Sequence, residues 1–287
     1  MQTLFSNHPE VYHLISLALA EDIGDGDHSS LSCISQSSTA TARLLVKEDG
    51  ILAGISLAGI IFNQVDEKLE FHPMALDGEK IAKGQILFTV KGKTHSILKA
   101  ERLVLNFMQR LSGIATTTGN YVNEIAGTSA RLLDTRKTTP GLRVLEKWAV
   151  KTGGGFNHRI GLYDMIMLKD NHVDAAGGIV SAIEKANLYR RSNRPEMKIE
   201  IETRNLKEVM EVLSYGQVDR IMLDNFSTEE LKKAVLAING SFETEASGGI
   251  TIQNIREYAL TGVDFISVGA LTHSVKALDL SLKIVKS

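Results

Sequence analysis

Between Leu132 and His172 the chain gathers Arg136, Lys137, His158, Arg159 and Lys169 around a triple glycine, Gly153 to Gly155. Arg136 and Lys137 follow the apolar LLD, and Lys169 closes the apolar run IMLK. These cations therefore sit at strand ends and glycine turns, not along a solvated helix face. Arg and Lys meet carboxylate and phosphate through charge-assisted hydrogen bonds, so the cluster suits a small, densely anionic ligand. The competing reading, ordinary surface ion pairs, is weakened because these groups directly follow or end apolar runs. Lys169 serves either as a Schiff-base amine or as a fixed cation for a carboxylate. His172, in Lys169-Asp170-Asn171-His172, fits no metal-binding spacing and reads as a structural histidine.

Acidic and glycine positions continue the pattern. Glu202 ends IEIE and Asp224 ends IMLD. Two such carboxylates can hold Mg²⁺ beside a phosphorylated substrate or touch ribose hydroxyls; alternatively they pair with Arg220 or Lys198. Ser247-Gly248-Gly249 follows FETEA, and Gly269 follows ISV. Glycines let backbone N–H groups approach an anion, and the loops after the last two strands of a βα barrel commonly bind phosphate. Read locally, the same glycines are two tight turns; their place in consecutive loops favours phosphate. Lys and Arg outnumber Asp and Glu from Arg131 to Asn171, and the balance reverses from Glu196 to Glu245. A basic wall facing an acidic wall suits an anionic substrate together with a divalent cation.

The elements that must position these residues are legible too. Short apolar runs at 131–134, 165–169, 198–202, 220–224, 242–246 and 264–268 alternate with helical stretches. This predicts a parallel α/β barrel or doubly wound sheet, with fewer than eight regular units. In such an array every strand C-terminus opens on one face. Before it, Pro9 and the stripe Val11, Leu14, Ile15, Ala18 predict a helix. Strands are expected at 39–47, 68–75 and 85–91, then a helix from His95 that breaks at Gly113 and Thr116 to Thr118, a domain boundary. Leu278, Leu280, Leu282 and Ile284 alternate as an antiparallel strand would, returning to the N-terminal sheet. The segment 78–92 is similar to a lipoyl or biotinyl carrier hairpin but lacks the Met-Lys-Met context of a modifiable lysine.

With 43% apolar residues the chain can bury one large or two modest cores, and its net charge of −2 gives no general attraction to nucleic acid or anionic membrane. Cys33 is the only cysteine, so neither an internal disulfide nor a thiolate metal cluster is expected, and a reducing compartment fits. Leu14 to Ala20 ends in Glu21 and Asp22 without the features of a signal peptide, and the uncharged run 50–65 is too short to span a bilayer. A cytoplasmic location is expected.

The segments DTRKTTPG (134–141), GGGFNHR (153–159), LKDNH (168–172), IEIE (199–202), LDNF (223–226) and EASGGI (245–250) closely resemble the quinolinate phosphoribosyltransferases, the carboxylating nicotinate-nucleotide pyrophosphorylases. The likeness runs in order from ALAEDIGDGD (18–27) through ERLVLNFMQRLSGIAT (101–116) to VGALTHSVKALDLSLKI (268–284). The resemblance implies an N-terminal α/β sandwich, 1–113 completed by 274–287, and an irregular open α/β barrel, 114–273. It implies phosphoribosyl transfer from phosphoribosyl pyrophosphate to quinolinate, with Mg²⁺, giving nicotinate mononucleotide, pyrophosphate and CO₂ in NAD synthesis. It places Thr135, Arg136, Lys137, His158, Arg159 and Lys169 at quinolinate and pyrophosphate. It gives Glu202 and Asp224 the ribose and metal, with Lys137 beside them as the catalytic set. Ser247, Gly248, Gly249, Ser267, Gly269 and Ala270 fall to the 5′-phosphate. A homo-oligomer, dimer or dimer-based hexamer, is implied, with Arg102 reaching the neighbour's site. His28-Ser29-Ser30 departs from the aliphatic residue and two threonines common there.

Overall fold

The computed structural model describes residues 8–285. It divides into two compact units: Met1–Gly119 with Thr139–Gly154 and Ser274–Ser287, and Asn120–Thr138 with Gly155–His273. The predicted first domain also spans 1–7 and 286–287, which lie outside the described residues.

The first unit begins with α1 (Pro9–Ile23) and α2 (His28–Cys33), followed by β1 (Thr39–Val46), β2 (Gly50–Ile51), α3 (Ile55–Val65), β3 (Glu70–Pro73), β4 (Lys80–Ile81) and β5 (Ile86–Lys93). The helix α4 (Thr94–Glu124) follows. Proline at the first helical position starts α1 as the sequence predicts. The alternation of β1 gives buried Ala42, Leu44 and Val46 on one face. Beneath it the rings of Phe62, Phe71 and Phe88 meet at centroid distances of 4.9 to 5.7 Å. The C-terminal strand, Leu280–Ile284, pairs antiparallel with β1, so the sheet runs C-terminal strand, β1, β5, β3.

Two features of this unit depart from the sequence reading. The helix α3 was not predicted: its N-cap is the left-handed Gly54, and its first N–H groups are taken by the carboxylate of Asp77, far along the chain. The predicted break at Gly113 is also absent, because α4 runs straight through it. A Cβ at Gly113 would strike the carbonyl of Lys276, so glycine serves close packing there and does not end the helix. Thr116 and Thr118 donate back to the carbonyls of Ser112 and Ile114, the pattern by which threonine is accommodated inside a helix.

The second unit holds β6 (Arg131–Leu133); α5 (Arg143–Thr152), next in the chain, groups with the first unit. The chain then gives β7 (Ile166–Leu168), α6 (Asp170–Ala176), α7 (Ile179–Asn193), β8 (Ile199–Thr203), α8 (Leu206–Tyr215) and β9 (Arg220–Asp224). It finishes with α9 (Thr228–Ile238), β10 (Glu243–Ser247), α10 (Ile255–Ala259), β11 (Phe265–Ser267) and α11 (Ala270–His273), before the C-terminal strand, β12. All six strands are parallel, in the order β6-β11-β10-β9-β8-β7. This is the cyclic order of a βα barrel with one pairing unmade. Between β6 and β7 only the isolated bridge Leu133–Phe156 takes the place of a strand. The predicted irregular, open α/β barrel of fewer than eight units is what the chain forms.

Register decides which side chains face inward. Glu200 pairs with Arg220 and Arg220 with Glu243; Glu202 pairs with Met222 and Met222 with Glu245; Asp224 pairs with Ser247. Because side chains alternate along a strand, all of these lie on one face of the sheet. Leu223, Ala246 and Ile266 take the other face, under the helices.

Candidate active site

At the C-terminal ends of these strands lies a cavity of about 770 Å³. Its walls bring together Thr135, Arg136 and Lys137 after β6, His158 and Arg159 from the glycine loop, and Lys169 after β7. Glu202, Asp224 and Ser247 come from β8, β9 and β10, with Gly248, Gly249, Ser267, Gly269 and Ala270 from the last loops. Arg102 does not line it; it lies exposed on α4, in the other unit.

Each group is held by local contacts. The loop after β6 closes on itself, with Lys137 N–H donating to Thr135 Oγ1 at 3.1 Å, while Thr272 Oγ1 donates to the Lys137 carbonyl at 2.8 Å. Arg136 and Lys137 are exposed to the cavity, whereas Arg159 is buried. Burial first, then the nearby charge of Arg136, lowers the Arg159 pKa. Two guanidiniums that disfavour each other at the mouth of one cavity are a site made for an anion.

Lys169 Nζ donates to Glu202 Oε2 at 2.7 Å. That contact ties the amine to a carboxylate of the same wall, an arrangement that suits a fixed partner for an anion better than a free nucleophile. Glu202 is 7% exposed, Asp224 is half-buried, and the two stand on neighbouring strands with oxygen donors opening to the same cavity. This is the donor set that suits Mg²⁺ shared with a phosphorylated substrate. Asn225, in a left-handed conformation (φ 58°), donates to Asp224 Oδ2 at 2.6 Å and sends its backbone N–H to the Ser247 carbonyl. A Cβ on Gly248 would collide with the Asn225 amide, and Gly248 and Gly249 both have positive φ (93° and 63°). Glycine is thus needed for the backbone to enter the cavity wall here. The helix that follows begins at Ile255, after a turn in which Thr251 N–H donates to Asn254 Oδ1.

Beneath the cavity the inner face is charged and buried. His158 Nε2 lies 3.0 Å from Glu200 Oε2 and 3.5 Å from Glu245 Oε2. Arg220 donates to Glu245 at 2.9 Å and to Glu243 at 3.1 Å, and stacks over Phe265. Burial disfavours a charge on His158, whereas the neighbouring Glu200 and Glu245 pull its pKa up. The Arg159 N–H donates to Nδ1 at 2.7 Å, which only an unprotonated nitrogen accepts, so this contact holds the ring neutral with its proton on Nε2. Burial, and then the charge of Glu245, raises the Glu200 pKa.

Sequence reasoning missed Asn225, Glu245 and His273, which also line the cavity. The alternation of ETEAS put Glu245 on the same face as Ser247, which was a usable signal. The strained conformation of Asn225 left no mark in the sequence.

Comparison with known proteins completes the description. The family models for quinolinate phosphoribosyl transferase, C-terminal and N-terminal domains, match residues 114–283 and 27–112. "Quinolinate phosphoribosyltransferase [decarboxylating] 1" of Nicotiana glauca is 49% identical over 294 residues, covering 96% of this chain and 83% of the relative. The chloroplastic "Nicotinate-nucleotide pyrophosphorylase [carboxylating]" of Arabidopsis thaliana is 49% identical over 295 residues, covering 97% and 84%. The solved nicotinate-nucleotide pyrophosphorylase of Francisella tularensis superposes with a TM-score of 0.91 at 42% identity, covering 96% of each chain.

Proposed function

Since the chain belongs to the quinolinate phosphoribosyltransferase family, it transfers phosphoribosyl from phosphoribosyl pyrophosphate to quinolinate with decarboxylation, and we propose that it does so by positioning and electrostatics. The products are nicotinate mononucleotide, pyrophosphate and CO₂, in NAD biosynthesis. The observation that carries the proposed mechanism is the buried Arg159 beside Arg136 in a cavity that also holds Lys137 and Lys169.

Quinolinate is a pyridine dicarboxylate. Arg136, Arg159 and Lys169, with Thr135 and His158 in the wall, hold its two carboxylates and aim the ring nitrogen at ribose C1. That alignment converts an encounter of two anions into a near-unimolecular step. As the bond from C1 to pyrophosphate breaks, positive charge grows on C1. Glu202 and Asp224 stabilise it, and Lys137 meets the departing oxyanion. Ser247, Gly248, Gly249, Ser267, Gly269 and Ala270 anchor the 5′-phosphate. Glu202 and Asp224 would hold Mg²⁺, which when bound supplies neutralising charge to pyrophosphate. Once the ring nitrogen is quaternary, the C2–carboxylate bond breaks, CO₂ leaves, and the electron pair stays at C2 beside the ring cation until protonated.

Arg102 completes the site of a neighbouring subunit in a homo-oligomer; its exposure on α4 and its absence from the cavity lining support this. A single exposed cysteine, Cys33, supports a reducing, cytoplasmic setting. Among the described residues no helix is long and apolar enough to cross a membrane.

The test is PRPP-dependent release of CO₂ from quinolinate, with nicotinate as the competing acid. Arg136→Ala, Arg159→Ala and Lys169→Ala should each lower kcat/KM by about 2–5 kcal/mol of transition-state binding. Folded variants that all stay within a few-fold of wild type would defeat the assignment. Mixing Arg102→Ala with Lys137→Ala subunits should restore one working site per mixed dimer.

A further inference from the structure

The buried charges below the cavity are not explained by substrate contact. Glu200 is fully buried and does not line the cavity, and taking a carboxylate out of water costs several kcal/mol that an ion pair often fails to recover. Glu200 meets Arg220 Nη1 at 4.0 Å and, more closely, His158. Its Oε2 lies 3.0 Å from His158 Nε2, and the other ring nitrogen, Nδ1, accepts the backbone N–H of Arg159 at 2.7 Å. On the far side of the same residue, the His158 backbone N–H donates to Asp134 Oδ1 at 2.9 Å, and Asp134 is also fully buried. The segment carrying Arg159 therefore lies between two buried carboxylates, one accepting from the backbone N–H of His158 and one 3.0 Å from its ring.

Such an anchor answers a definite physical need. Arg159 points a buried guanidinium at a cavity shared with Arg136, and without a ligand the two repel. Its own side chain has one long contact here, from Nη1 to the Met165 carbonyl at 3.4 Å. A loop of this kind would relax away from the cavity unless its backbone were restrained.

We propose that Glu200 is a positioning residue for the dicarboxylate: acting through the His158 imidazole, it fixes the Arg159 backbone and so the direction in which the guanidinium meets quinolinate. The inference rests on the substrate reading above and deepens it. Glu245 shares the task from 3.5 Å and is itself held by Arg220 at 2.9 Å. The imidazole is the link, because only a ring with an acceptor at Nδ1 and a donor at Nε2 can join a backbone N–H to a carboxylate.

Two variants of one position separate positioning from mere burial. Glu200→Gln keeps a carbonyl oxygen to accept from Nε2, whereas Glu200→Leu keeps bulk and removes the acceptor, leaving the Arg220–Glu245 pair intact. Glu200→Leu should raise the quinolinate KM on the order of 10- to 100-fold, the scale of a small misplacement of a binding group. Its KM for phosphoribosyl pyrophosphate and its kcat should stay within about two-fold, and Glu200→Gln should rescue the quinolinate KM. Nitrogen-15 spectra should show one His158 tautomer, protonated at Nε2, in wild type and Glu200→Gln, and a mixture in Glu200→Leu. Should Glu200→Leu not fold, Glu245→Gln is read for the same selective rise in quinolinate KM. A folded Glu200→Leu enzyme with wild-type quinolinate KM overturns the proposal, as does Glu200→Gln damaged equally with it, or Glu245→Gln without a selective rise where that variant must stand in. Wild-type turnover of quinolinate is measured alongside; its absence would strike the substrate reading and not the anchor.

Discussion

The two units solve opposite problems with their interiors. In the first, Phe62, Phe71 and Phe88 pack under a sheet whose inward positions are Ala42, Leu44 and Val46. That contact is non-directional, and its strength follows the area removed from water. In the second, the inward rows of β8, β9 and β10 carry Glu200, Arg220, Glu243 and Glu245, with His158 among them. Those groups hold one another at hydrogen-bonding distance and lose most of their value with a small displacement. An apolar interior stabilises the fold, and a charged one fixes where particular atoms lie.

The contrast breaks most visibly if the wrong interior controls stability. Phe88→Ala should cost about 3–5 kcal/mol of folding free energy, read as a lower melting temperature, while the molecules still folded keep their quinolinate KM. A specific rise in that KM would show that the apolar interior also positions substrate. Next in size, Glu202→Gln and Asp224→Asn should lower turnover about 10²-fold, near 2.7 kcal/mol, with little loss of quinolinate affinity. Near-normal turnover with weakened quinolinate binding would mean that these carboxylates orient the base and not the ribose.

The smallest effect sharpens the comparison through pH. Glu200 and Glu245 favour a charged His158 ring, whereas the Arg159 N–H on Nδ1 requires a neutral one. A ring held neutral gains no proton on folding, so the wild-type melting temperature should change no more between about pH 6.5 and pH 9 than that of His158→Gln. A wild-type melting temperature that falls as pH rises through this window, and does not fall in His158→Gln, would show that the carboxylates charge the ring and that Nδ1 does not accept from Arg159.

What could be read from the sequence follows the same division. Strand ends were legible because apolar runs stop abruptly at Asp134, Lys169, Glu202 and Asp224, and a parallel array brings such ends to one face. The return of the last strand was legible from the period-two spacing of Leu278 to Ile284. The cap of α3 was not, because Asp77 arrives from a distant turn. Gly113 misled because a glycine required for close approach to Lys276 looks the same as one that ends a helix. The anchor of Arg159 was hidden for a related reason. Nothing in the sequence marks Glu200 and Glu245 as partners of His158; the strand register and the glycine loop bring them together.

The pairing of β12 with β1 sets a timetable for synthesis. Ala42 meets Ile284 across roughly 240 residues of chain. At about 5–20 residues per second, on the order of 10–50 seconds separate the emergence of the two strands from the ribosome. Throughout that interval β1 is an open sheet edge, the feature that invites association with another strand. The catalytic unit, whose last residue is His273, has its whole sequence translated before the first unit receives its final strand. The half of the protein that starts first is thus completed last, and a nascent chain stalled after the barrel would carry an assembled cavity attached to a sheet still waiting for its edge.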